Sequence, residues 1–312
     1  MKKIDKQNKF SFYVKGFGRS LLAAKSYEKK IDELYKSVSK ESLNIVERRV
    51  DYYNKISKPT VVTHNGTTVQ DLLKPKTPKS YYFDTFEYAR HFPKGWKIDY
   101  AFGDINTILD FPMVTKSRPI AGDNKNNILL NLDKARHFVP VRDSIDFSQK
   151  KDLLIGRAAI HQEHRKLFYQ KYFNHYLCDL GQINKEGGIA EWIKPKISIE
   201  EHLQYKFILS LEGNDVATNL KWIMSSNSIA VSSPLKMETW YMEGTLKPDE
   251  HFICIAEDYG NLEDKLQYYL DHQNEAKEII ENASQYRLQF KNKKVEDLIS
   301  LLVLKKYFEY IR

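Results

Sequence analysis

The feature that most restricts the fold of this chain is a regular alternation of short apolar segments and helical patterns that begins near residue 150. Apolar segments of four or five residues, bounded by polar turns, are typical of strands buried in a parallel sheet. The predicted strands are residues 152–155, 176–180, 207–211, 228–232 and 252–255. Because helical patterns separate them, this half of the chain predicts a parallel sheet with helices on both faces.

The first half of the chain is less regular. Residues 20–56 carry apolar side chains at spacings of three and four, which predicts helices that end before Pro59. Short strand patterns follow in a polar background, and they predict a second α/β lobe. These strand patterns are residues 60–63, 98–102, 128–132 and 138–141. The expected organisation is a basic helical segment at 1–58, α/β lobes at 59–149 and 150–290, and a C-terminal helix at 291–312.

The chain has a net charge of +8 and two basic ends, since residues 286–312 hold 7 Lys and Arg against 3 Asp and Glu and residues 61–285 have a net charge of −4. Residues 1–60 contain 15 Lys and Arg against 7 Asp and Glu, which accounts for the whole excess. A basic segment of this kind suits an anionic membrane surface, where each basic residue contributes about 1 kcal/mol. A solvated, lysine-rich helical face explains the same charge equally well. Aromatic pairs such as Tyr81-Tyr82 lie outside dense basic runs, so no nucleic-acid partner is predicted.

Cysteine usage and hydropathy bear on the cellular compartment. Cys178 and Cys254 lie far apart and have no metal-ligand spacing, as expected for reduced thiols in the cytoplasm. The N-terminal lysines precede no apolar signal segment, and the apolar run at 301–304 is far shorter than the roughly 20 residues that span a bilayer. We therefore expect a cytoplasmic protein without a membrane-spanning helix.

The sequence does not predict a metal site. His161 and His164 are three residues apart, but the acid between them is out of place for a zinc-binding HExxH motif. No Asp-x-Asp occurs, although clustered carboxylates are the usual ligands of a divalent cation that holds phosphates. Any phosphate ligand would then be neutralised by Arg, Lys and backbone N–H groups.

Two places in the second half could bind phosphate. Gly213 and Asn214 follow the strand at 207–211 and precede a predicted helix through residue 225, whose N-terminus would attract an anion and whose Lys221 would add a full charge. A simple capping turn is the alternative. Arg157 lies at the end of the first strand of this half, and its planar guanidinium suits a phosphate. Arg165 lies eight residues further on, in the predicted helix, and is expected to face the same side as Arg157.

In the first half, Asp110 lies in an apolar loop that Lys116 and Arg118 follow closely. An aspartate kept ionised by basic neighbours can act as a general base towards a hydroxyl group. The alternative is that Asp110 caps the turn before Pro112 or pairs with one of the two basic residues.

An ordered set of motifs resembles glycosyltransferase family 90. The motifs are KFILSLEGNDVATNLKWIMSSNS at 206–228, ETWYMEGTLKP at 238–248, EAKEIIENA at 275–283, and FGD, DFP and KSRPI at 102–104, 110–112 and 116–120. The last three are similar to the bacterial branch, which includes lipopolysaccharide core transferases. The resemblance covers roughly residues 80–290.

The resemblance implies a GT-B fold, with two Rossmann-like lobes and the donor in the C-terminal one, and metal-independent transfer with inversion. Asp110 looks like the catalytic aspartate of the family's Asp-Tyr-Pro context. Donor binding is implied for Arg157, Arg165, Gly213, Asn214, Asn219, Lys221 and Glu238, and acceptor binding for Lys116 and Arg118. Asn219 stands where animal members carry an arginine, and Ala158 replaces a glycine that follows the family's first donor arginine.

The sequence thus leads us to expect transfer of a hexose or pentose from a UDP-sugar to a hydroxyl of lipopolysaccharide core or a related glycan. No cofactor beyond the donor is expected, and the enzyme would work at the inner face of the inner membrane. The alternatives are a non-catalytic basic protein that binds nucleic acid or lipid, and a nucleotide-sugar hydrolase or epimerase on the same fold.

Overall fold

The structure is a computed structural model that describes residues 12, 14, 16–19, 22–60, 66–74, 79–137, 139 and 141–311. The described chain forms two compact units. The first unit comprises Lys6–Arg136, Lys236–Gly244 and Gln289–Arg312, and the second comprises His137–Leu235 and Thr245–Leu288.

Short helices and short strands make up both units. The helices are α1 Tyr27–Ser37, α2 Lys40–Tyr53, α3 Lys79–Ala89, α4 Lys134–His137, α5 Glu163–Tyr172, α6 Ile199–His202, α7 Leu220–Ile223, α8 Leu262–Asp271, α9 Gln273–Tyr286 and α10 Lys293–Tyr310. The strands are β1 Tyr100–Ala101, β2 Met113–Thr115, β3 Ser117–Pro119, β4 Asn127–Leu129, β5 Lys151–Ala158, β6 Cys178–Gln182, β7 Tyr205–Leu209, β8 Ile229–Ser232, β9 Met237–Thr239 and β10 Ile253–Cys254.

The second unit is built on a five-stranded sheet in the order β10-β8-β7-β5-β6. Every neighbouring pair is parallel, which confirms the sheet predicted from the alternation of strands and helices. All residues of β7 and β8 are buried, as expected for strands that lack a solvent face. Apolar side chains from α5, α8 and α9 pack into the same core, among them Phe168, Leu262 and Ile279.

The strand order of this sheet reverses next to β5. The chain passes from β5 to β6 on one side and then returns to β7 on the other side of β5. In doubly wound sheets such a reversal opens a crevice between the loops at the carboxyl ends of the two strands, and ligands bind there. The loops that follow β5 and β7 are therefore the part of the second unit best placed to hold a ligand.

The prediction of a helix directly after Gly213 is wrong. Residues 210–219 form an irregular loop, and α7 begins only at Leu220 and has four residues. The Asn219 side chain binds this loop to the end of β7, with its amide N–H donating to the Leu209 carbonyl at 2.9 Å and its oxygen accepting from the Ser210 hydroxyl at 3.1 Å. These bonds hold the loop against the end of β7, and α7 begins seven residues after Gly213, so Gly213 does not lie at the N-terminus of a helix.

The first unit contains a three-stranded parallel sheet in the order β1-β2-β4 and an antiparallel pair formed by β3 and β9. The predicted α/β character is thus confirmed for both halves. The helical reading of residues 20–56 is confirmed by α1 and α2, which are separated at Val38-Ser39. Strands β2, β3 and β9 have three residues each, too few to show a pattern in the sequence.

The C-terminal helix α10 belongs to the core of the first unit. It packs against α1, α2 and α3, and its Leu298, Leu304 and Tyr307 are fully buried. The apolar run noted at residues 301–304 lies inside this helix and is explained by packing. Among the described residues, no helix has both the length and the apolar character needed to cross a membrane.

The compact units differ from the expected segments. The change of unit falls at Arg136–His137 rather than at residue 149, and the basic N-terminal helices and α10 pack into one unit with the first sheet. The segment Lys236–Gly244 also joins the first unit, because β9 pairs with β3. The strand patterns at 60–63 and 138–141 lie partly outside the described residues.

Candidate functional site

Arg165, on α5, binds both loops of the crevice beside β5. Its guanidinium donates to the carbonyl oxygens of Ala159 at 2.9 Å, Leu211 at 2.7 Å and Glu212 at 2.9 Å. The first carbonyl follows β5 and the other two follow β7. Among the described residues, no carboxylate forms an ion pair with Arg165. Burial lowers the pKa of Arg165, but the ordinary pKa of a guanidinium is so high that the group stays charged. A positive charge is therefore built into the crevice.

Further polar groups fix the loop after β7. The His164 ring Nε2 is 2.9 Å from the Glu212 carbonyl oxygen, and the Gln162 amide donates to the Asn214 side-chain oxygen at 3.0 Å. A Cβ atom on Gly213 would lie 3.3 Å from Arg165 Nη2, so the glycine permits the close approach. The structure thus brings the predicted residues Arg165, Gly213 and Asn214 together. It adds His164 and Gln162, for which the sequence suggested only a rejected metal motif.

Arg157 does not take part in this cluster. Its guanidinium donates to the Asp179 carboxylate at 2.8 Å and to the Asp179 carbonyl at 2.7 Å. Asp179 lies opposite Ile155 in the neighbouring strand, and Ile155 is two residues before Arg157. The Arg157 side chain therefore extends back along the sheet, away from the carboxyl ends of the strands. Gly181 makes room for it, because a Cβ there would lie 3.0 Å from the Arg157 side chain. The expected contact between Arg157 and the donor is not supported by this arrangement.

Asp179 is the centre of a charged cluster on β6. It also accepts hydrogen bonds from Lys194 at 3.0 Å and from the Tyr205 hydroxyl at 2.9 Å. Burial raises the pKa of Asp179, but the hydrogen bonds from Lys194, Arg157 and Tyr205 outweigh it and lower the pKa to about 2. The ionised cluster therefore stabilises the folded second unit.

The Asp179 cluster predicts an acid-sensitive contribution to stability. Because the folded-state pKa of Asp179 lies below its ordinary value of about 3.9, the contribution is present above pH ~4 and is lost as the pH falls towards 2. We expect the parent to lose more unfolding free energy than Asp179→Asn over this range, measured by urea titration. The exposed Asp264→Asn serves as control, and parallel curves for parent and Asp179→Asn would contradict the assignment.

Asn219 and Lys221 are both expected from the sequence to bind the donor. Asn219 uses its side chain to anchor the loop to β7, as described above. Lys221 is in the short helix α7 and is only 5% exposed. The long helix expected to carry Lys221 does not form, and the contact of Lys221 with a donor stays a prediction.

In the first unit, charged side chains gather at the carboxyl ends of the three parallel strands. Asp104 lies three residues after β1, and Lys116 follows β2 directly. The Lys116 amino group donates to Asp104 Oδ1 at 2.6 Å. Lys116 is buried, whereas the Asp104 side chain is 42% exposed. The lysine thus holds one oxygen of a carboxylate that solvent and ligands can reach.

Two further residues belong to this cluster. The Tyr81 hydroxyl group shares a hydrogen bond with Lys116, and burial raises the pKa of Tyr81. Asp133 follows β4 in a left-handed conformation, and burial raises its pKa although Arg136 and Lys116 oppose the shift. The sequence predicted a role for Lys116 but none for Asp104, which was noted only within the FGD motif at 102–104, two residues after the strand pattern 98–102.

Asp110 lies at the opposite edge of the same sheet. The loop from β1 to β2 returns to the amino end of β2, and side chains at the amino end of β4 hold it there. The Leu109 N–H donates to the Asn127 side chain at 3.1 Å, and the Leu109 carbonyl accepts from Asn126 at 2.9 Å. Asp110 is exposed and forms no ion pair with Lys116 or Arg118. The structure therefore contradicts the expected position of Asp110 beside these basic groups.

Arg118 and Glu238 are paired with each other inside the first unit. Arg118 is fully buried, and its Nε donates to Glu238 Oε1 at 2.7 Å across the β3–β9 pair. Its other nitrogens donate to the carbonyl oxygens of Tyr52 and Asn127 at 2.7 and 3.2 Å. Tyr52 also donates its hydroxyl hydrogen to Glu238. Burial leaves neither residue accessible, so the expected acceptor contact of Arg118 and donor contact of Glu238 are replaced by a structural role.

The described residues contain no group of three or more His, Cys, Asp and Glu side chains that could hold a metal ion. His161 and His164 fit this finding, since His164 instead binds the Glu212 carbonyl.

Comparison with known proteins identifies the family of the chain. Residues 132–312 match the model of the family described as Glycosyl transferase family 90. The chain is 39% identical over 308 residues to the O-glucosyltransferase LpsA of Dichelobacter nodosus, an alignment that covers 97% of this chain and 96% of the relative. The matched region includes the second unit's crevice, and the relative also spans the first unit. The chain therefore belongs to glycosyltransferase family 90 and is a glycosyltransferase.

Proposed function

We propose that this glycosyltransferase moves a hexose from a UDP-sugar to a hydroxyl of lipopolysaccharide core or a related glycan, with inversion and without a metal ion. The observation that carries the proposal is the crevice beside β5, where Arg165 puts a positive charge at the carboxyl ends of a parallel sheet. Glucose is our first candidate because the relative is described as an O-glucosyltransferase. A pentose is the alternative.

The crevice suits the diphosphate of the donor. A guanidinium carries five N–H groups, and the three bonds to carbonyls leave one on each terminal nitrogen of Arg165 for a phosphate oxygen. Charge that develops on the departing nucleoside diphosphate would be stabilised by this preorganised cation. Asn214, fixed by Gln162, would add a polar contact from the same loop.

Asp104 is the carboxylate that we propose as the general base. Lys116 binds one of its oxygens, and the exposure of the Asp104 side chain lets an acceptor hydroxyl approach the carboxylate. Asp104 would take the proton of that hydroxyl as the new bond forms at the anomeric carbon and the bond to the diphosphate breaks. Lys116 then acts through Asp104, and Asp110 is the comparison residue for any test of this role.

The GT-B arrangement, the lipopolysaccharide acceptor and a position at the inner membrane complete the proposal. Each unit contains a parallel sheet, as GT-B lobes do. We propose that the second unit binds the donor. The basic N-terminal residues support a membrane-bound acceptor.

A donor panel tests the proposed reaction and its independence from metal. The purified protein is incubated with UDP-glucose, UDP-galactose or UDP-xylose and with core glycan from a deletion strain, with and without EDTA. We expect mass spectrometry to show one hexose added from UDP-glucose, at the same rate in EDTA. Activity that is lost in EDTA and restored by Mn²⁺ contradicts the metal-free mechanism. Consumption of the donor at an equal rate without acceptor indicates a hydrolase instead.

A further inference from the structure

A basic pocket lies in the first unit. Its volume is about 370 Å³. It is formed by the residues that precede α1, by the end of α3 and by the beginning of α10. Five Lys and Arg residues and two acids contribute to its walls: Arg19, Lys25, Lys30, Arg90, Lys293, Glu87 and Asp297. The lining therefore carries an excess of positive charge.

The two acids do not neutralise the whole pocket. Glu87 is bound by Arg19 at 2.6 Å and also by Lys134 at 2.8 Å. Asp297 is bound by Lys293 at 2.7 Å and accepts a hydrogen bond from Tyr88. Both carboxylates are thus already engaged, and they leave the remaining cations of the lining without an acidic partner inside the pocket.

Of the other cations in the lining, Lys25 is paired with Glu33, which lies outside the lining. Within the described ranges, neither Lys30 nor Arg90 forms an ion pair, and the Arg90 guanidinium donates to the Leu22 carbonyl at 2.6 Å. Burial lowers the pKa of Arg90, and the nearby charge of Arg19 lowers it further. Burial also lowers the pKa of His91, and the charges of Arg90 and Lys30 add to that shift. Like charges held together in this way provide a site for an anion.

Exposed apolar side chains stand directly before this pocket in the chain. Val14, Phe17 and Leu22 are 53%, 51% and 70% exposed. A binding site for a soluble anion gives no reason for such exposure. Apolar side chains next to a cluster of cations are typical of a surface that binds at the boundary between lipid headgroups and acyl chains.

We propose that the pocket binds the phosphate of an anionic phospholipid headgroup, while the apolar residues before α1 enter the interfacial layer of the membrane. Lys30 and Arg90 would bind the phosphate, and Leu22, whose carbonyl is held by Arg90, would lie next to the acyl chains. The inference deepens the proposed membrane location, but it does not depend on which sugar is transferred.

Flotation with vesicles tests the pocket in the full-length protein without donor or acceptor. Vesicles of phosphatidylethanolamine with phosphatidylglycerol are compared with phosphatidylcholine alone. Lys30→Gln combined with Arg90→Gln is expected to weaken binding to the anionic vesicles by about 25-fold, from about fivefold for each basic residue. The matched control, Lys29→Gln with Lys36→Gln, removes two charges from exposed positions on α1 outside the pocket and should weaken binding less than about twofold.

Equal losses for the two double variants would overturn the pocket in favour of diffuse attraction. Release of the parent from vesicles by inorganic phosphate, beyond the effect of chloride at equal ionic strength, would support a phosphate site. Binding of inorganic phosphate with no binding to anionic vesicles would overturn the lipid assignment. Lys30→Gln alone, which breaks no ion pair or side-chain hydrogen bond among the described residues, keeps the test valid if Arg90→Gln misfolds. Leu22→Ser should also weaken vesicle binding, and unchanged binding would contradict the apolar contact.

Discussion

Asp104→Asn is expected to reduce the turnover of sugar transfer by roughly 10²–10⁴-fold, the usual contribution of a positioned proton acceptor. Asparagine keeps the size of the side chain and an oxygen for Lys116, but it cannot take a proton from the acceptor hydroxyl. Asp110→Asn is the matched control. It makes the same change in an exposed aspartate at the opposite edge of the sheet and should leave turnover near the parent value.

Turnover in this experiment is expressed per folded molecule, because Asp104→Asn also breaks an ion pair with the buried Lys116. UDP binding by calorimetry should be unchanged in both variants, since the proposed donor crevice is in the other unit. A large loss in Asp110→Asn with near-parent turnover in Asp104→Asn would restore Asp110 as the base. If both variants keep near-parent turnover, neither residue accepts the proton.

Arg118→Ala is expected to lower the free energy of unfolding by roughly 3–5 kcal/mol, because it leaves the buried Glu238 carboxylate without its cationic partner. Replacing both members of the pair, as Arg118→Met with Glu238→Met, should cost less than the single change, since no unpaired charge stays buried. Urea titration measures the free energy of unfolding of the parent, of Arg118→Ala and of the double variant. Lys125→Ala, which breaks an exposed pair with Asp123, should change stability by less than about 1 kcal/mol.

The same variants separate a structural role for Arg118 from direct binding of the acceptor. A structural role predicts that the stability falls and that the KM for the acceptor changes little in the folded fraction. An acceptor contact predicts the reverse, with near-parent stability and a raised KM. The second result would contradict the buried arrangement of Arg118 and restore the role first inferred from the sequence.

The sheet of the second unit was predictable because two of its inner strands are buried along their whole length. Strands β7 and β8 consist almost entirely of apolar residues, so composition alone marks them. The helix after β7 was not predictable in the same way. Residues 214–225 have a helical pattern, but the Asn219 side chain binds the β7 backbone and holds the first part as a loop. A tertiary hydrogen bond therefore overrides local propensity there.

The candidate site was predictable only where function depends on local chain geometry. Gly213 and Asn214 were found because a loop after a buried strand is a usual ligand site. Arg157 and Arg165 look equivalent in the sequence, yet one pairs with Asp179 and the other holds two loops. The difference depends on which partner lies across the sheet, and partners distant in the chain leave no trace in local spacing.

The sequence by itself determined the α/β class, the parallel sheet of the second unit, the helical character of the N-terminal segment and the family to which the chain belongs. These follow from short-range patterns of apolar residues and from an ordered set of motifs. Only the tertiary structure decided that Asp104 rather than Asp110 stands at the carboxyl edge of the first sheet, and that Arg118 and Glu238 are buried together. The reason is that a strand of two or three residues gives no signal of where it begins, and the edge at which a loop residue lies depends on that point.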